Sequence, residues 1–231
     1  MTLAIFDIDG TLIRGGTERR FWGYLLARGR QGPRQILAGA WFLVRYLPRY
    51  GVHVAKKNKA YLVGLKTADV AALAADFVAR EALPRLAEPV VERLQQHQRA
   101  GDTVALLSGT LEPIARALAQ HLGVQHVRAT VCAERDGRYL AQPPVVHPFG
   151  ALKVGLAKEL ATQLGTELNL ATAYADSAHD LELLEAVGSP VAVEPDRTLL
   201  RTAHTKAWDV IPTDARHEVP RKPGAAERGY M

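Results

Sequence analysis

Four short apolar runs, each separated from the next by helix-period sequence, constrain this 231-residue chain more than any other feature. They are Leu3-Ala4-Ile5-Phe6, Thr103-Val104-Ala105-Leu106-Leu107, Ala171-Thr172-Ala173-Tyr174-Ala175 and Pro190-Val191-Ala192-Val193. Unbroken runs of this length suit strands buried on both faces of a parallel sheet. Helical patterns over residues 89–100, 112–122, 149–164, 178–187 and 196–203 lie between or after them. Pro89 stands at a first-turn position, and Gly101, Gly123 and Gly188 act as stops. Strands alternating with helices predict an α/β fold on a doubly wound parallel sheet. Hydrophobic side chains form 48% of the chain, enough to bury such a core and too many for wholesale disorder.

The interval after the first run breaks the alternation. Residues 14–86 contain four helical stretches, 18–28, 34–47, 53–62 and 68–82. Gly29-Arg30-Gln31-Gly32-Pro33, Pro48 with Gly51, and Gly64-Leu65-Lys66-Thr67 punctuate them. So long a helical interval exceeds a simple crossover between parallel strands. It predicts a helical cap, residues 14–86, inserted into a core formed by 1–13 and 87–211. Such a cap would stand over the C-terminal edge of the sheet, where ligands of open α/β sheets bind. Asp136-Gly137, within residues 130–140, signals a small hairpin flap. Residues 212–231 carry three prolines and little periodicity, and are expected to be a disordered tail.

Charge is distributed unevenly. Residues 14–59 hold eleven Lys and Arg against the single acid Glu18, a net of +10 in a chain whose total is +5. A block of this kind attracts phosphates, nucleic acid or anionic lipid, although a solvated helical face explains it equally well. Residues 36–47, with Arg45 as their one charge, fit a buried cap helix better than a membrane anchor. Flanked by Arg28, Arg30, Arg34, Arg49, Lys56 and Lys57, residues 28–57 also have the composition of a surface that docks on anionic membrane. The single cysteine, Cys132, excludes an internal disulfide and has no context for a reactive thiolate. The eight histidines lack zinc-ligand spacing. An acid at Asp7 precedes any signal-peptide core, and no run reaches the ~18 apolar residues of a membrane span, so a cytoplasmic chain is expected.

Chemistry-bearing residues gather at the ends of three runs. The first ends in Asp7-Ile8-Asp9-Gly10-Thr11. Two carboxylates at the mouth of a parallel sheet suit Mg²⁺, or a nucleophile beside a general acid/base. The second ends in Ser108-Gly109-Thr110 before a helix at Glu112-Pro113, where a hydroxyl and free N–H groups form an anion cradle, or the hydroxyls simply cap the helix. The third ends in Asp176-Ser177-Ala178-His179-Asp180, and Lys153 precedes it on a helix. Each signal alone has an ordinary reading as a turn, a cap or a surface lysine; together they bring acids, a hydroxyl and an ammonium to one edge.

The order Asp-x-Asp-x-Thr, strand-end Ser/Thr, Lys, Asp-x-x-x-Asp resembles the four motifs of the haloacid dehalogenase-like hydrolase superfamily. Residues 107–116 and 174–180 resemble its phosphoserine phosphatase-like branch, and the helical insertion resembles a type-one cap. The resemblance spans about residues 3–211 and implies a Rossmann-like core and a Mg²⁺-dependent phosphomonoesterase acting on a small phosphorylated metabolite. It implies that Asp7 attacks phosphorus to form an aspartyl-phosphate, while Asp9 protonates the leaving alcohol and then activates water. Mg²⁺ would be held by the Asp7 carboxylate, the Asp9 backbone carbonyl, Asp176 and Asp180. The phosphoryl oxygens would meet Ser108, the Gly109 N–H and Lys153.

One departure bears on the substrate. Phosphoserine phosphatases of this type carry a glutamate nine residues after the nucleophile that reads the substrate amine, and here that position is Gly16, with Glu18 two residues further on. A cap of +10 also suits a cationic substrate poorly, which speaks against phosphoserine and histidinol phosphate. Two alternatives remain open: a phosphomutase using the same Asp7/Asp9 pair, and a non-catalytic protein whose basic cap binds anions or nucleic acid. The intact acid set disfavours the latter, and a nucleic-acid partner is not expected.

Overall fold

The computed structural model describes residues 2–212, so the expected tail lies outside the described residues apart from Pro212. Six parallel strands form the central sheet: β1 (Leu3–Phe6), β2 (Thr103–Leu111), β3 (His126–Thr130), β6 (Thr172–Ala175), β7 (Ser189–Val193) and β8 (Asp209–Ile211). Their order is β3-β2-β1-β6-β7-β8. Strand β1 is therefore interior, and its last residue delivers the chain to the middle of the sheet's C-terminal edge, between β2 and β6.

Side-chain alternation along β1 sorts the core into two layers. Leu3 and Ile5 pack with α7 (Ala151–Gln163), α8 (Leu181–Ala186) and α9 (Arg197–Lys206). Ala4 and Phe6 face the other way, toward α5 (Glu88–Arg99) and α6 (Glu112–Leu122). Phe6 stacks on Tyr174 of β6 with ring centroids 4.2 Å apart and planes 3° apart. The doubly wound architecture is as the alternation requires, with helices on both faces.

Two strands escape the apolar-run criterion. Strand β3 lies on the sheet edge and contains His126 and Arg128, while β8 on the opposite edge has only three residues. Edge strands tolerate polar side chains and short lengths because one side is not paired. Strand β2 also runs four residues beyond Leu107, to Leu111, with a register shift against β3 between Leu107 and Leu111. Ser108 and Thr110 consequently sit on a strand. The residue that caps α6 is Leu111, which makes no side-chain capping bond, so neither hydroxyl is a helix cap.

Between β1 and β2 lie α1 (Thr17–Ala27), α2 (Pro33–Tyr50), the single turn α3 (Val54–Lys57) and α4 (Thr67–Phe77). Phe21, Tyr24 and Leu25 of α1 and Val70, Ala74 and Phe77 of α4 join the core layer of α5 and α6. Helix α2 instead has a small cluster of its own, in which Phe42 packs with Val54 and Ala60. Pro48 does not end α2, contrary to the sequence expectation; the helix continues to Tyr50 and stops at Gly51, at φ 52°. A proline two residues from the helix end removes only one ladder bond there. The stretch expected as helix over 53–62 is broken into α3 and a 3₁₀ turn at Ala60–Leu62.

The hairpin pairs β4 (Glu134–Arg135) with β5 (Arg138–Tyr139), and both turn residues, Asp136 and Gly137, have positive φ. That is the backbone a two-residue hairpin demands. Gly64 N–H donates to Tyr139 O at 2.9 Å and Thr67 N–H to Gly137 O at 2.9 Å, tying the hairpin to the start of α4.

Candidate active site

Asp7 continues the parity of Leu3 and Ile5 and so points toward α7. There Lys153, in the first turn of the helix and almost fully buried, donates to Asp7 Oδ1 at 2.7 Å and to Asp180 Oδ1 at 2.6 Å. Asp176 follows β6, and Asp180 ends the 3₁₀ turn Ala178–Asp180. One carboxylate oxygen from each of Asp7, Asp176 and Asp180 lies within 4.8 Å of the other two. Three carboxylates thus face one ammonium in a poorly hydrated site.

The electrostatic consequence is opposite for the two kinds of group. Burial pushes the Asp7 carboxyl up to about 7; Lys153 opposes this, while Asp180 and Asp176 add to it. Asp176 is likewise pushed up to about 7, by burial first and then by Asp180. Burial alone would lower the Lys153 ammonium, but Asp7 and Asp180 outweigh it and hold Lys153 above the ordinary lysine value. A second cation would relieve the remaining excess of negative charge. Clustered hard carboxylate oxygens are the donor set that Mg²⁺ takes.

Asp9 is turned away from this cluster. Its Oδ1 accepts the backbone N–H of Thr17, at the first residue of α1, at 2.7 Å, and its Oδ2 accepts the Thr110 hydroxyl at 2.8 Å. Burial raises the Asp9 carboxyl against the lowering effect of these bonds. Since the Thr110 hydrogen goes to Asp9, Ser108 Oγ, 3.1 Å away, donates to Thr110 Oγ1. A chain of hydroxyls therefore leads from Ser108 to Asp9. Gly10, at φ +80°, turns the chain immediately after Asp9, and a Cβ there would overlap the Asp176 carboxylate. Only glycine meets both demands.

Gly109 lies beside His147 and Pro148, both within 4 Å of where a Cβ would stand. Its carbonyl accepts the Thr130 hydroxyl at 2.6 Å, so His147 Nδ1, 2.9 Å from Thr130 Oγ1, is the donor to that hydroxyl oxygen. Burial pushes His147 down to about 4, with Lys59, Lys57 and Lys56 adding to the effect. His147 is therefore a neutral imidazole at neutral pH. Together with Arg49, Tyr50, Lys56, Lys57, Phe149 and Leu152 it lines a cavity of about 470 Å³. His179, exposed, spans the gap above, with Nε2 3.4 Å from Lys56 Nζ and its ring 4.8 Å from that of Phe149.

Glu18 is engaged from within the chain. Lys59, 4% exposed, donates to both of its carboxylate oxygens at 2.6 and 2.5 Å, and the Tyr61 hydroxyl donates at 2.9 Å. The structure thus brings together Asp7, Lys153, Asp176 and Asp180, and sets Asp9 and Ser108 beside them through Thr110. Sequence reasoning missed Thr17, Lys59, Tyr61 and His147. Thr110 stood in the quoted motif and Lys59 in the basic block, but nothing in the sequence signals which acid each would hold. Cys132 is inert, its thiol pushed up to about 12 by burial.

Comparison with known proteins places this geometry in context. The sequence pattern described as haloacid dehalogenase-like hydrolase matches residues 4–185. A probable phosphatase of Mycobacterium tuberculosis is 29% identical over 236 residues, covering 97% of this chain and 81% of its own. A phosphoserine phosphatase of the same organism is 29% identical over 215 residues, covering 90% and 69%. Among solved structures, a protein of unknown function from Bordetella pertussis superposes with a TM-score of 0.78 at 29% identity, covering 93% of this chain and all of its own.

Proposed function

Since the chain belongs to the haloacid dehalogenase-like hydrolase family and is a phosphatase of it, in the phosphoserine phosphatase-like branch, we propose that it hydrolyses small phosphate monoesters through an aspartyl-phosphate on Asp7. The observation that carries this reading is the Lys153 bridge, which fixes Asp7 Oδ1 at 2.7 Å beside a cluster of three carboxylates. A fixed nucleophile needs no reorganisation before attack.

Asp7 Oδ2 forms a bond to phosphorus as the ester oxygen departs, and Asp9, kept protonated more readily by burial, gives that oxygen its proton. Asp9 then accepts a proton from the water that cleaves the aspartyl-phosphate, returning Asp7 and releasing phosphate. The Ser108 hydroxyl, turning its hydrogen from Thr110 to the substrate, the Gly109 N–H and the third hydrogen of Lys153 Nζ hold the phosphoryl oxygens. Mg²⁺, held by Asp7, Asp176, Asp180 and the Asp9 backbone carbonyl, would offset the charge of three carboxylates and a phosphoryl group. Residues 14–86 serve as the cap, with Lys56 and Lys57 over the mouth.

The surroundings favour an ester whose leaving group carries an anion and lacks an amine. Glu18, the acid available to an ammonium, is occupied by Lys59 and Tyr61, and the adjoining cavity presents Arg49, Lys56 and Lys57. Phosphate release from a panel of anionic, neutral and amine-bearing esters, with Mg²⁺ and with EDTA, tests both claims. Mg²⁺-dependent release with a preference for anionic esters is expected. Release insensitive to EDTA, or a preference for phosphoserine, contradicts them.

A further inference from the structure

Helix α2 is amphipathic in the wrong sense for a helix facing water. Gln35, Ala38, Gly39, Phe42, Tyr46 and Tyr50 turn inward, and of these Phe42 alone is buried. The outward face is apolar: Ile36 is 72% exposed, Leu37 70%, Trp41 51%, Val44 78% and Leu47 54%. At 100° per residue these five positions fall within one stripe less than half the helix circumference wide. A helix covered by water carries its polar residues on that side instead. Trp22 and Leu26 of α1, both about half exposed, continue the patch across a groove of about 420 Å³ shared with Ile36 and Leu43.

Charge identifies what covers this face. Arg34 and Arg45 line one edge of the stripe, and Arg30 stands at the turn between α1 and α2, next to Arg28, whose guanidinium pairs with Asp76 at 3.0 Å. No acidic residue occurs from Arg19 to Ala68. A second copy of the chain would bring the same positive field against itself, which like-charge repulsion opposes. An anionic lipid surface matches it, taking apolar side chains below the headgroups while arginines reach the phosphates. Tryptophan at the boundary between the two is the aromatic most suited to that level.

We propose that α2, with the exposed end of α1, docks this protein on anionic phospholipid bilayers, lying in the membrane plane. No helix among the described residues is long and apolar enough to cross a membrane, in keeping with a surface-lying element. This inference rests on the exposed face alone and does not depend on the phosphatase mechanism.

The test is co-sedimentation of the full chain with vesicles of phosphatidylcholine alone, and of phosphatidylcholine and phosphatidylglycerol in equal parts. Binding to the anionic vesicles, weakened by salt, with a blue shift of tryptophan fluorescence, is expected. The double variant Leu37→Glu/Val44→Glu alters two exposed side chains, so it should fold normally while its vesicle partitioning falls at least tenfold. Arg34→Glu/Arg45→Glu should lose a similar factor at low salt only. Absence of binding to anionic vesicles overturns the proposal, as does binding that the Leu37→Glu/Val44→Glu variant leaves unchanged. A dimer in sedimentation velocity that this variant dissociates, without vesicle affinity in the parent, assigns the face to a second copy and also overturns it.

Discussion

Replacing Asp7 by Asn should make the metal-free protein more stable, because the native site confines a carboxylate that burial disfavours. The Asp7 carboxyl is shifted from 3.8 to about 7, with burial the largest cause. A group whose folded value is raised contributes its full stability below the unfolded value and loses it as pH rises through the folded one. Carrying Asp7 ionised at pH 8 therefore costs on the order of 4 kcal/mol relative to its protonated form. An asparagine copies the protonated carboxyl, with Lys153 still able to donate to its carbonyl oxygen. The amide NH₂ is an imperfect match for a hydroxyl, at a cost of about 1 kcal/mol. The net expectation is a gain of roughly 2–3 kcal/mol at pH 8, shrinking to nothing by about pH 4. Urea melts of both proteins in EDTA at pH 8, 6 and 4 measure this. A loss of stability at pH 8, or a difference that does not change with pH, would refute the argument that the site stores unfavourable charge for a cation to relieve.

Other substitutions probe single contacts. Gly10→Ala should abolish most activity and cost about 2 kcal/mol or more, since it combines positive φ with an overlap on Asp176; near-normal thermal melting would contradict this. Lys59→Met removes the charge that neutralises Glu18, leaving only the Tyr61 hydroxyl on it, and should raise turnover of amine-bearing esters relative to anionic ones about tenfold; an unchanged ratio would show that Glu18 does not face the substrate. His147 is held at about 4 against an ordinary 6.5, so the unfolded chain takes up the proton first and stability declines as pH falls from about 6.5 to 4. His147→Asn, which keeps a donor near Nδ1, should flatten the melting temperature across that window, whereas parallel curves for the two proteins would count against it.

Much of this could be read from the sequence where local pattern and tertiary position coincide. The central strands are apolar throughout because both faces are covered, so Leu3–Phe6 announces itself and fixes Asp7 at the sheet edge. The edge strands β3 and β8 are short or polar, and their pairing depends on neighbours far along the chain. The acids were legible as a set, but their division of labour was not. Whether Asp9 joins the carboxylate cluster or binds Thr17 depends on how α1 enters, which no local propensity encodes. Likewise the pattern of α2 gives an apolar stripe, yet only packing decides which side meets the protein. Glu18 shows the same limit: its offset from the expected position was visible, while its capture by Lys59 and Tyr61 required the fold.

The central claim is that Asp7 carries the phosphoryl group. Acid quench of the enzyme during turnover with Mg²⁺ and a good ester, followed by intact-mass and peptide mass spectrometry, tests it directly. The account predicts a phosphoryl adduct on the peptide containing Asp7, discharged by hydroxylamine and absent in Asp7→Asn. An adduct on Ser108, or steady turnover by Asp7→Asn, would contradict it.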